Sequence, residues 1–317
     1  MLIKLLEPLN VPESLIEELA EPIKEAGHEF VYYDEKTTDV EELAERSADA
    51  DIVMIANNPY PKEAFEDAEN LEFINVAFTG VDHVDQKAAK EQGIKIANAA
   101  GYSDTSVAEL VIGLTLDVYR KISLGNETIR EDDQVEIVQG NEIKGKTVGI
   151  IGTGNIGLET AKLFKGFGAN LIGYNRSEKE EAKELGLAYV SLDELLKQSD
   201  IVSVHLPLND ETKNTLSREK LSLMKPEAII INAARGPIID NDALAELLND
   251  GKIAGAGIDV FDMEPPIPED YPLLSAKNAV LTPHVAFLTD ESMVNRAHIA
   301  FENIEKYLEG NPQNLVE

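Results

Sequence analysis

The segment that most constrains the fold of this chain is residues 146–157, KTVGIIGTGNIG. A short apolar, β-branched run leads directly into Gly152, Gly154 and Gly157, and a helix-period pattern of apolar residues continues to Phe164. Strand, glycine-rich turn and helix in this order form the setting in which Gly-x-Gly-x-x-Gly binds a dinucleotide. The segment therefore predicts a Rossmann-type unit with a pyrophosphate at the start of its helix.

Each glycine has an expected task in such a turn. Gly152 permits the tight turn, Gly154 lets the pyrophosphate approach the backbone, and Gly157 lets helix and strand pack closely. A side chain at any of the three positions is expected to intrude.

The end of the next predicted strand bears on which dinucleotide binds. NAD-binding folds carry an acid about 20 residues after the glycines, where it accepts a hydrogen bond from the ribose 2′-hydroxyl. Here the chain has Asn175, Arg176 and Ser177 instead. An amide, a guanidinium and a hydroxyl can bind a 2′-phosphate, which an acid would repel. The sequence therefore predicts that NADP(H) is preferred, with NAD(H) as the other candidate; the alternative is an ordinary surface turn with Arg176 in solvent.

Strand-like and helix-like segments alternate on both sides of the glycine motif. The other predicted strands are residues 1–6, 30–33, 52–55, 71–77, 94–97, 170–174, 200–206, 228–233 and 253–260. The other predicted helices are residues 12–26, 40–46, 104–121, 193–198, 240–249 and 290–309. Alternation of this kind is typical of parallel sheets covered by helices. The fold class is therefore predicted to be α/β, with two doubly wound parallel sheets.

Composition excludes several classes of function. The net charge of -31, with no local cluster of Lys and Arg, argues against nucleic acid and anionic membranes as partners. The absence of cysteine excludes disulfides, thiolate metal sites and a cysteine nucleophile, and no metal site is predicted. The chain shows neither a basic leader nor a run of about 18 apolar residues, so a soluble, cytoplasmic protein is expected. The acidic run at residues 131–136 is expected to be a solvated loop or helix face.

Polar residues follow three apolar strands in the second half of the chain. Arg235 comes directly after the strand that ends at Ala233, and Asp259 and Glu264 lie beyond the next strand. His284 follows a third apolar stretch, in LTPHVAFLT. Ligands of doubly wound sheets bind at the carboxyl ends of the strands, so this set of side chains is a candidate catalytic site.

Five segments in order along the chain resemble the D-isomer-specific 2-hydroxyacid dehydrogenases. They are FTGVDHVD at residues 78–85, HLPLNDET at residues 205–212, INAARGPIID, GAGIDVFDMEPP and LTPHVAFLT. The resemblance covers essentially the whole chain. It implies a Rossmann cofactor domain at residues 99–287, inserted into a flavodoxin-like substrate domain at residues 1–98 and 288–317. It also implies homodimers formed through the cofactor domain.

The resemblance implies a role for each of the three catalytic candidates. Arg235 would hold the substrate carboxylate and polarise the keto oxygen, His284 would be the acid/base, and Glu264 would orient the histidine. General chemistry agrees with these roles. Reduction of a ketone by hydride leaves an alkoxide that needs a proton, which an imidazole can supply. A guanidinium offers a fixed fork of donors that suits a carboxylate.

The resemblance also implies contacts to both ligands. The cofactor contacts predicted above are the three glycines with Asn175, Arg176 and Ser177. The resemblance adds further cofactor contacts: Asn155, Ile156, His205, Pro207, Thr212, Ala233, Asp259 and Thr105. Of these, Ala233 and Asp259 would reach the nicotinamide amide. The backbone of Thr79, Gly80 and Val81 would bind the substrate carboxylate. The side chains expected near the R group are Asn57, Asn58, Tyr60, Phe78, Tyr102, Phe287 and Met293.

The predicted function is that of an NADPH-preferring reductase, which converts a small 2-keto acid to the D-2-hydroxy acid. Glyoxylate, hydroxypyruvate, pyruvate and phenylpyruvate all remain candidate substrates. One alternative is an imino acid reductase on the same scaffold, because an iminium beside a carboxylate also accepts a hydride. The other is a dinucleotide-sensing binding protein of the corepressor type.

Overall fold

The computed structural model describes residues 1–131 and 138–316. From position 132 onward, the acidic run predicted to be solvated lies outside the described residues. The chain divides into two compact units, Met1–Ser103 with Leu288–Glu317, and Asp104–Phe287. They are called the first and the second unit below. The division falls where the long helix beginning at Asp104 starts, a few residues after the predicted boundary at residue 98.

Strands and helices alternate throughout the described residues. Residues 1–131 and 138–316 contain the strands β1 (Leu2–Leu5), β2 (Glu29–Tyr32), β3 (Ile52–Ile55), β4 (Phe73–Val76), β5 (Lys95–Asn98), β6 (Thr147–Ile151), β7 (Asn170–Tyr174), β8 (Ala188–Tyr189), β9 (Ile201–Val204), β10 (Ile229–Asn232), β11 (Gly255–Ile258) and β12 (Ala279–Leu281). The same residues contain the helices α1 (Glu13–Glu25), α2 (Val40–Ser47), α3 (Gln86–Glu91), α4 (Asp104–Arg120), α5 (Ile122–Glu131), α6 (Asn155–Gly166), α7 (Glu180–Glu184), α8 (Leu192–Gln198), α9 (Arg218–Leu221), α10 (Asn241–Asn249) and α11 (Asp290–Leu308). Short 3-10 helices lie at Lys62–Ala64, Gly236–Ile238 and Pro272–Ser275.

Each unit is built on one parallel sheet. The first unit has the strand order β2-β1-β3-β4-β5, which is the flavodoxin-like order. The second unit has the order β12-β11-β10-β9-β6-β7-β8, which reverses at β6, as in a Rossmann sheet. Every strand pair in both sheets is parallel. The predicted α/β class with two doubly wound sheets is confirmed.

The strands of the second unit are apolar along their whole length because helices cover both faces of the sheet. In β10, Ile230 packs into a cluster with residues of α8 and α10, such as Leu195 and Leu244. Its neighbours Ile229 and Ile231 pack on the other face, with residues of α4 and α6. Because side chains alternate along a strand, one apolar run supplies both cores.

The predicted elements are present, each with its ends within two residues of the prediction. The shortest elements were not predicted: α3, α7 and α9 have six residues or fewer, and β8 and β12 have two and three. A segment this short shows no readable period. Helix α5 was missed for another reason, since Lys121, with φ +55°, breaks the helical path after α4.

Among the helices of the described residues, none has both the length and the apolar character needed to cross a bilayer. The cytoplasmic location expected from the sequence stays a prediction.

Candidate active site

The glycine-rich turn between β6 and α6 leaves no room for side chains at two of its three glycines. Gly152 has φ +95°, and a β-carbon there would lie 2.5 Å from the carbonyl oxygen of His205. A β-carbon at Gly157 would lie 2.0 Å from the carbonyl oxygen of Gly152. At Gly154, by contrast, no described atom lies within 4 Å of such a carbon, apart from the chain neighbours. This open side of Gly154 is compatible with the task predicted for it, the approach of a pyrophosphate to the backbone, and that contact stays a prediction.

The start of α6 fits the pyrophosphate of a dinucleotide. Gly154 is the N-cap and has no side chain with which to cap this helix end. Its first-turn N–H groups and the helix dipole therefore favour an anion next to Gly154, where a ligand can approach the backbone. Asn155 is exposed and Ile156 half-buried in this first turn.

The first residue of α4 contacts this helix end. Asp104 accepts a hydrogen bond from the side chain of Asn155, and burial raises the pKa of its carboxyl. Thr105, the next residue, is exposed on α4. The start of α4 thus lies beside the start of α6, where the pyrophosphate is expected.

The loop after β7 carries the residues that were predicted to select the dinucleotide. The side-chain amide of Asn175 donates to the carbonyl of Ser177 at 2.8 Å, which closes a compact turn. Arg176, at the tip, has a side chain that is 91% exposed and lies 3.6 Å from a carboxylate oxygen of Glu211. A guanidinium this exposed is available to a 2′-phosphate and gains little from the surface ion pair.

His205 and the loop after it border the glycine-rich turn. Burial lowers the pKa of the His205 imidazole to about 3, so the ring is neutral at physiological pH, and its Nε2 lies 2.8 Å from the hydroxyl of Ser203. Thr212 closes the following loop, because its hydroxyl donates to the carbonyl of Pro207 at 2.6 Å. The loop that begins at His205, next to Gly152, is therefore closed by its own hydrogen bonds.

Arg235 lies in the turn that follows β10. Asn232 shapes this turn: its side chain accepts from the backbone N–H of Ala234 and donates to the carbonyl of Arg235, both at 3.0 Å. Arg235 is half-buried, as is Ala233 at the end of the strand. A β-carbon at Gly236 would lie 1.9 Å from the carbonyl oxygen of Phe261, so the residue after Arg235 must be glycine. Gly236 was not predicted from the sequence, in which the Arg-Gly dipeptide was the available signal.

Asp259, directly after β11, forms hydrogen bonds with the segment that contains His284. Its carboxylate is completely buried and accepts from the hydroxyl of Thr282 at 2.6 Å. It also accepts from the backbone N–H of Val285 and of Ala286, each at 2.9 Å. Burial raises the pKa of this carboxyl, against the effect of these hydrogen bonds. The nicotinamide contact implied by the resemblance stays a prediction, and the structure adds a role in holding the histidine segment.

His284 and Glu264 form a close pair. The Nδ1 atom of the His284 ring lies 2.9 and 2.8 Å from the two carboxylate oxygens of Glu264. The His284 side chain is 12% exposed and the Glu264 side chain 68%. The Phe287 ring stands edge-on to the imidazole, with 5.5 Å between the ring centres. These contacts orient the ring and leave Nε2 as the nitrogen not engaged by Glu264.

The backbone of His284 is in the left-handed region, with φ +56°. This conformation is uncommon for a residue with a side chain, and it is most often retained where it serves a site. The Asp259 carboxylate bonds the two residues that follow His284 and holds this conformation in place.

Three neighbouring strands therefore bring the second unit's candidates to one edge. Strands β10, β11 and β12 are adjacent and parallel, and Arg235, Asp259 and His284 follow their carboxyl ends in turn. The Asp259 N–H donates to the carbonyl of Asn232 at 2.9 Å, which ties the ends of β10 and β11 together. This edge is where ligands of doubly wound sheets bind.

The first unit brings its own candidates to the carboxyl edge of its sheet. Asn57 and Asn58 follow β3, and Tyr102 follows β5. Thr79, Gly80 and Val81 follow β4 and are half-buried, and the carbonyl of Thr79 accepts from the side chain of Asn98 at 2.8 Å. Buried Glu7 accepts from the backbone N–H of Ala56 at 2.7 Å and of Asn58 at 3.1 Å, which fixes the turn after β3.

Tyr60 is not available to a substrate. Its side chain is fully buried, stacks on Phe65 and bonds the hydroxyl of Ser47 at 2.7 Å. Its expected place near the R group is therefore wrong, because a Pro-Tyr-Pro loop segment gives no sign of which way the ring turns. Phe78, Tyr102 and Met293 are also largely buried.

Comparison with known proteins identifies the family. Residues 112–286 match the family model described as "D-isomer specific 2-hydroxyacid dehydrogenase, NAD binding domain". The chain belongs to the D-isomer-specific 2-hydroxyacid dehydrogenase family. It is therefore an NAD(P)-dependent oxidoreductase, and the predicted family is confirmed.

Three proteins that are similar to this chain illustrate the family. A hydroxypyruvate reductase from Blautia hydrogenotrophica is 38% identical over 304 residues, which are 92% of this chain and 93% of that protein. A solved structure of an acyclic imino acid reductase in complex with NADPH and D-Arg is 33% identical, with a TM-score of 0.89 and coverage of 100% of both chains. A glyoxylate reductase from Paecilomyes thermophila is 28% identical, with a TM-score of 0.89 over 100% of this chain and 98% of that one.

Proposed function

We propose that this dehydrogenase reduces small 2-keto acids, of the glyoxylate and hydroxypyruvate type, to D-2-hydroxy acids and uses NADPH in preference to NADH. The observation that carries the proposal is the His284–Glu264 pair, which lies at the same sheet edge as Arg235. The Asp259 carboxylate fixes the backbone next to His284 through hydrogen bonds. The relatives named as hydroxypyruvate and glyoxylate reductases support the substrate class. The exposed cation Arg176, in place of an acid, supports the cofactor preference.

The side chains divide the chemistry between them. A bound nicotinamide dinucleotide supplies the hydride. Arg235 binds the substrate carboxylate and orients the keto carbon through its planar fork of donors. His284 gives a proton from Nε2 to the oxygen that becomes the alkoxide, while Glu264 on Nδ1 holds the ring in place. In the reverse direction the same nitrogen takes the proton back.

A second candidate function is the reduction of imino acids. It is favoured by the similarity to the imino acid reductase structure, which aligns over the whole of this chain. An imino acid has a carboxylate beside its iminium carbon, so Arg235 can bind it as well as it binds a keto acid. The residues of the site are therefore compatible with both substrate classes. The corepressor alternative is disfavoured, because a binding protein has no need of the Arg235, Glu264 and His284 set.

A substrate panel tests the proposal. Glyoxylate, hydroxypyruvate, pyruvate and phenylpyruvate are assayed with NADPH and with NADH, each with and without an added amine. We expect turnover without amine, with the highest kcat/KM for glyoxylate or hydroxypyruvate. The kcat/KM with NADPH should exceed the kcat/KM with NADH by at least about tenfold, because charged side chains form strong hydrogen bonds with a phosphate. Turnover only with amine would support imino acid reduction. Tight dinucleotide binding with no turnover on any substrate would support the sensor.

We also propose that the chain forms a homodimer through the second unit. Helix α5 carries large apolar side chains that are exposed in the single chain: Ile122 at 56%, Leu124 at 48% and Ile129 at 69%. Apolar side chains concentrated on one short helix are typical of an interface between protein chains. The family resemblance supports a second copy of this chain as the partner.

Replacing Ile122 and Ile129 with aspartate is expected to separate the dimer, because the interface would have to bury two charges. We expect the dissociation constant, measured by analytical ultracentrifugation, to rise at least about 100-fold. Phe167→Asp is the matched control, since Phe167 is 43% exposed at the end of α6 and not on α5. A double variant that remains as dimeric as the control would contradict the proposed interface.

A further inference from the structure

We propose that Tyr189 is a positioning residue of the dinucleotide site, whose phenol ties the ribose loop to the glycine-rich turn and so sets the discrimination between NADPH and NADH. The ribose loop is residues 175–179, which follow β7. The inference rests on the proposed cofactor preference. Neither the sequence motifs nor the family resemblance pointed to Tyr189, because it lies outside both segments that it connects.

The phenol of Tyr189 contacts both segments. Its oxygen lies 2.7 Å from the hydroxyl of Thr153, which stands between Gly152 and Gly154 in the glycine-rich turn. The backbone N–H of Lys179, at the end of the ribose loop, donates to the same oxygen at 3.0 Å. Since the amide takes an acceptor position, the phenol proton is free to be donated to Thr153. One oxygen atom thus joins two loops that are more than 20 residues apart in the sequence.

The position of Tyr189 suits this task. It is the last residue of β8, a two-residue strand at the sheet edge, and pairs with Gly173 of β7. Thr153 is completely buried, so without the phenol its hydroxyl would lose this partner inside the protein. An unsatisfied buried hydroxyl is costly, which makes the contact a strong constraint on both loops.

The ribose loop is thereby tied to the glycine-rich turn at both ends. At its start, the N–H of Gly152 donates to the carbonyl of Tyr174 at 2.8 Å. At its end, the tie runs from Lys179 through the Tyr189 phenol to Thr153. The first tie is between backbone atoms, and the second depends on one side chain that can be changed.

Arg176 lies between these two ties. Its side chain is 91% exposed and forms a weak surface ion pair with Glu211, so the loop backbone, which places the Cα atom of Arg176, sets the region that the guanidinium can reach. Both dinucleotides place a pyrophosphate on the glycine-rich turn, but only NADPH has a 2′-phosphate that needs Arg176 at a set distance from it. Loosening the second tie should therefore weaken NADPH binding more than NADH binding.

The test is Tyr189→Phe in the full chain, which removes a single oxygen atom. We expect the Kd for NADPH, measured by titration calorimetry, to rise about tenfold, and the KM for NADPH to rise with it. The Kd for NADH and the kcat with either dinucleotide should stay within about twofold. Thr153→Val removes the other hydroxyl of the contact and should change the two Kd values in the same way. The Kd for NADPH of the double variant should be no higher than that of either single variant.

Two further variants serve as references. Arg176→Ala removes the cation and keeps the hydrogen bonds of Tyr189. The ratio of its Kd values for NADH and NADPH is therefore the discrimination that remains when Arg176 cannot bind the 2′-phosphate. Tyr307→Phe also removes a hydrogen-bonded phenol, which donates to Glu72 in the first unit, and should leave both Kd values unchanged. Thermal unfolding without cofactor shows whether each variant is folded.

The outcomes separate this inference from the proposed preference. If Arg176→Ala lowers the ratio and Tyr189→Phe leaves it at the wild-type value, the positioning role is wrong. Equal weakening of NADPH and NADH by Tyr189→Phe would also overturn it, because the phenol would then support only the shared turn. If the wild-type chain prefers NADH, the proposed preference has failed. The positioning role of Tyr189 is then decided by the ratio of the two Kd values: a ratio that changes in both Tyr189→Phe and Thr153→Val supports it, and a ratio that stays at the wild-type value in both overturns it.

Discussion

Replacing His284 with alanine is expected to lower kcat by about 10²- to 10⁴-fold, the range that a positioned general acid contributes. The Kd for the dinucleotide should stay within about twofold, because the glycine-rich turn and the ribose loop are on other strands. Stopped-flow measurement of hydride transfer at saturating keto acid separates the chemical step from binding. A variant with near-normal kcat would remove His284 from the proposed mechanism.

Glu264→Gln is the matched variant for this test. A glutamine oxygen still accepts the hydrogen bond from Nδ1, so the ring keeps its orientation, but the negative charge beside it is lost. We expect kcat to fall by about tenfold, less than in His284→Ala, because the proton donor itself is retained. A loss as large as that of His284→Ala would show that the carboxylate does more than orient and stabilise the ring.

Replacing Gly157 with alanine is expected to lower the free energy of unfolding by about 3 kcal/mol. The added methyl group would lie 2.0 Å from the carbonyl oxygen of Gly152. That oxygen belongs to the backbone and the methyl carbon is fixed directly to Cα, so neither can turn aside. Helix α6 has to move away from the turn, which also disrupts the site of the pyrophosphate. Urea unfolding measured with and without NADPH should show the loss of stability and a reduced stabilisation by the cofactor.

Gly154→Ala is the control, because the same methyl group there meets no described atom within 4 Å beyond its chain neighbours. Its φ of -71° is also one that alanine adopts freely. We expect the free energy of unfolding without cofactor to change by less than about 1 kcal/mol, while the Kd for NADPH rises at least about tenfold. Equal stability of the Gly157 and Gly154 variants would contradict the assigned packing role of Gly157.

Much of the fold could be predicted from local pattern. The strand 146–151 and the helix after it were predicted because the apolar period changes at the glycines, and α4 and α11 because one apolar face runs through each of them. Helix α5 shows where this reasoning ends. Its composition continues that of α4, and only the left-handed backbone at Lys121 separates the two helices.

The residue types of the candidate site were predicted from the sequence pattern, and the pairing of Glu264 with His284 only through the family resemblance. Arg235, Glu264 and His284 were selected because each follows an apolar strand, but no spacing in the sequence states that Glu264 reaches Nδ1 of His284. The side chain of Asp259 was expected to face the cofactor, and it bonds the backbone next to His284. Tyr60 was expected at the site and lies in the core, since its ring direction depends on Ser47 and Phe65.

The glycine motif at residues 146–157 was therefore enough to predict a Rossmann unit and a dinucleotide ligand. The apolar period and the absence of side chains at the glycines are local properties that the sequence shows directly. The tertiary structure alone decided which glycines are crowded by protein, which nitrogen of His284 faces Glu264, and that Tyr189 joins the motif to the ribose loop. These features depend on distances between segments far apart in the chain. The parallel crossover connections bring those segments together, and no local pattern records where their side chains meet.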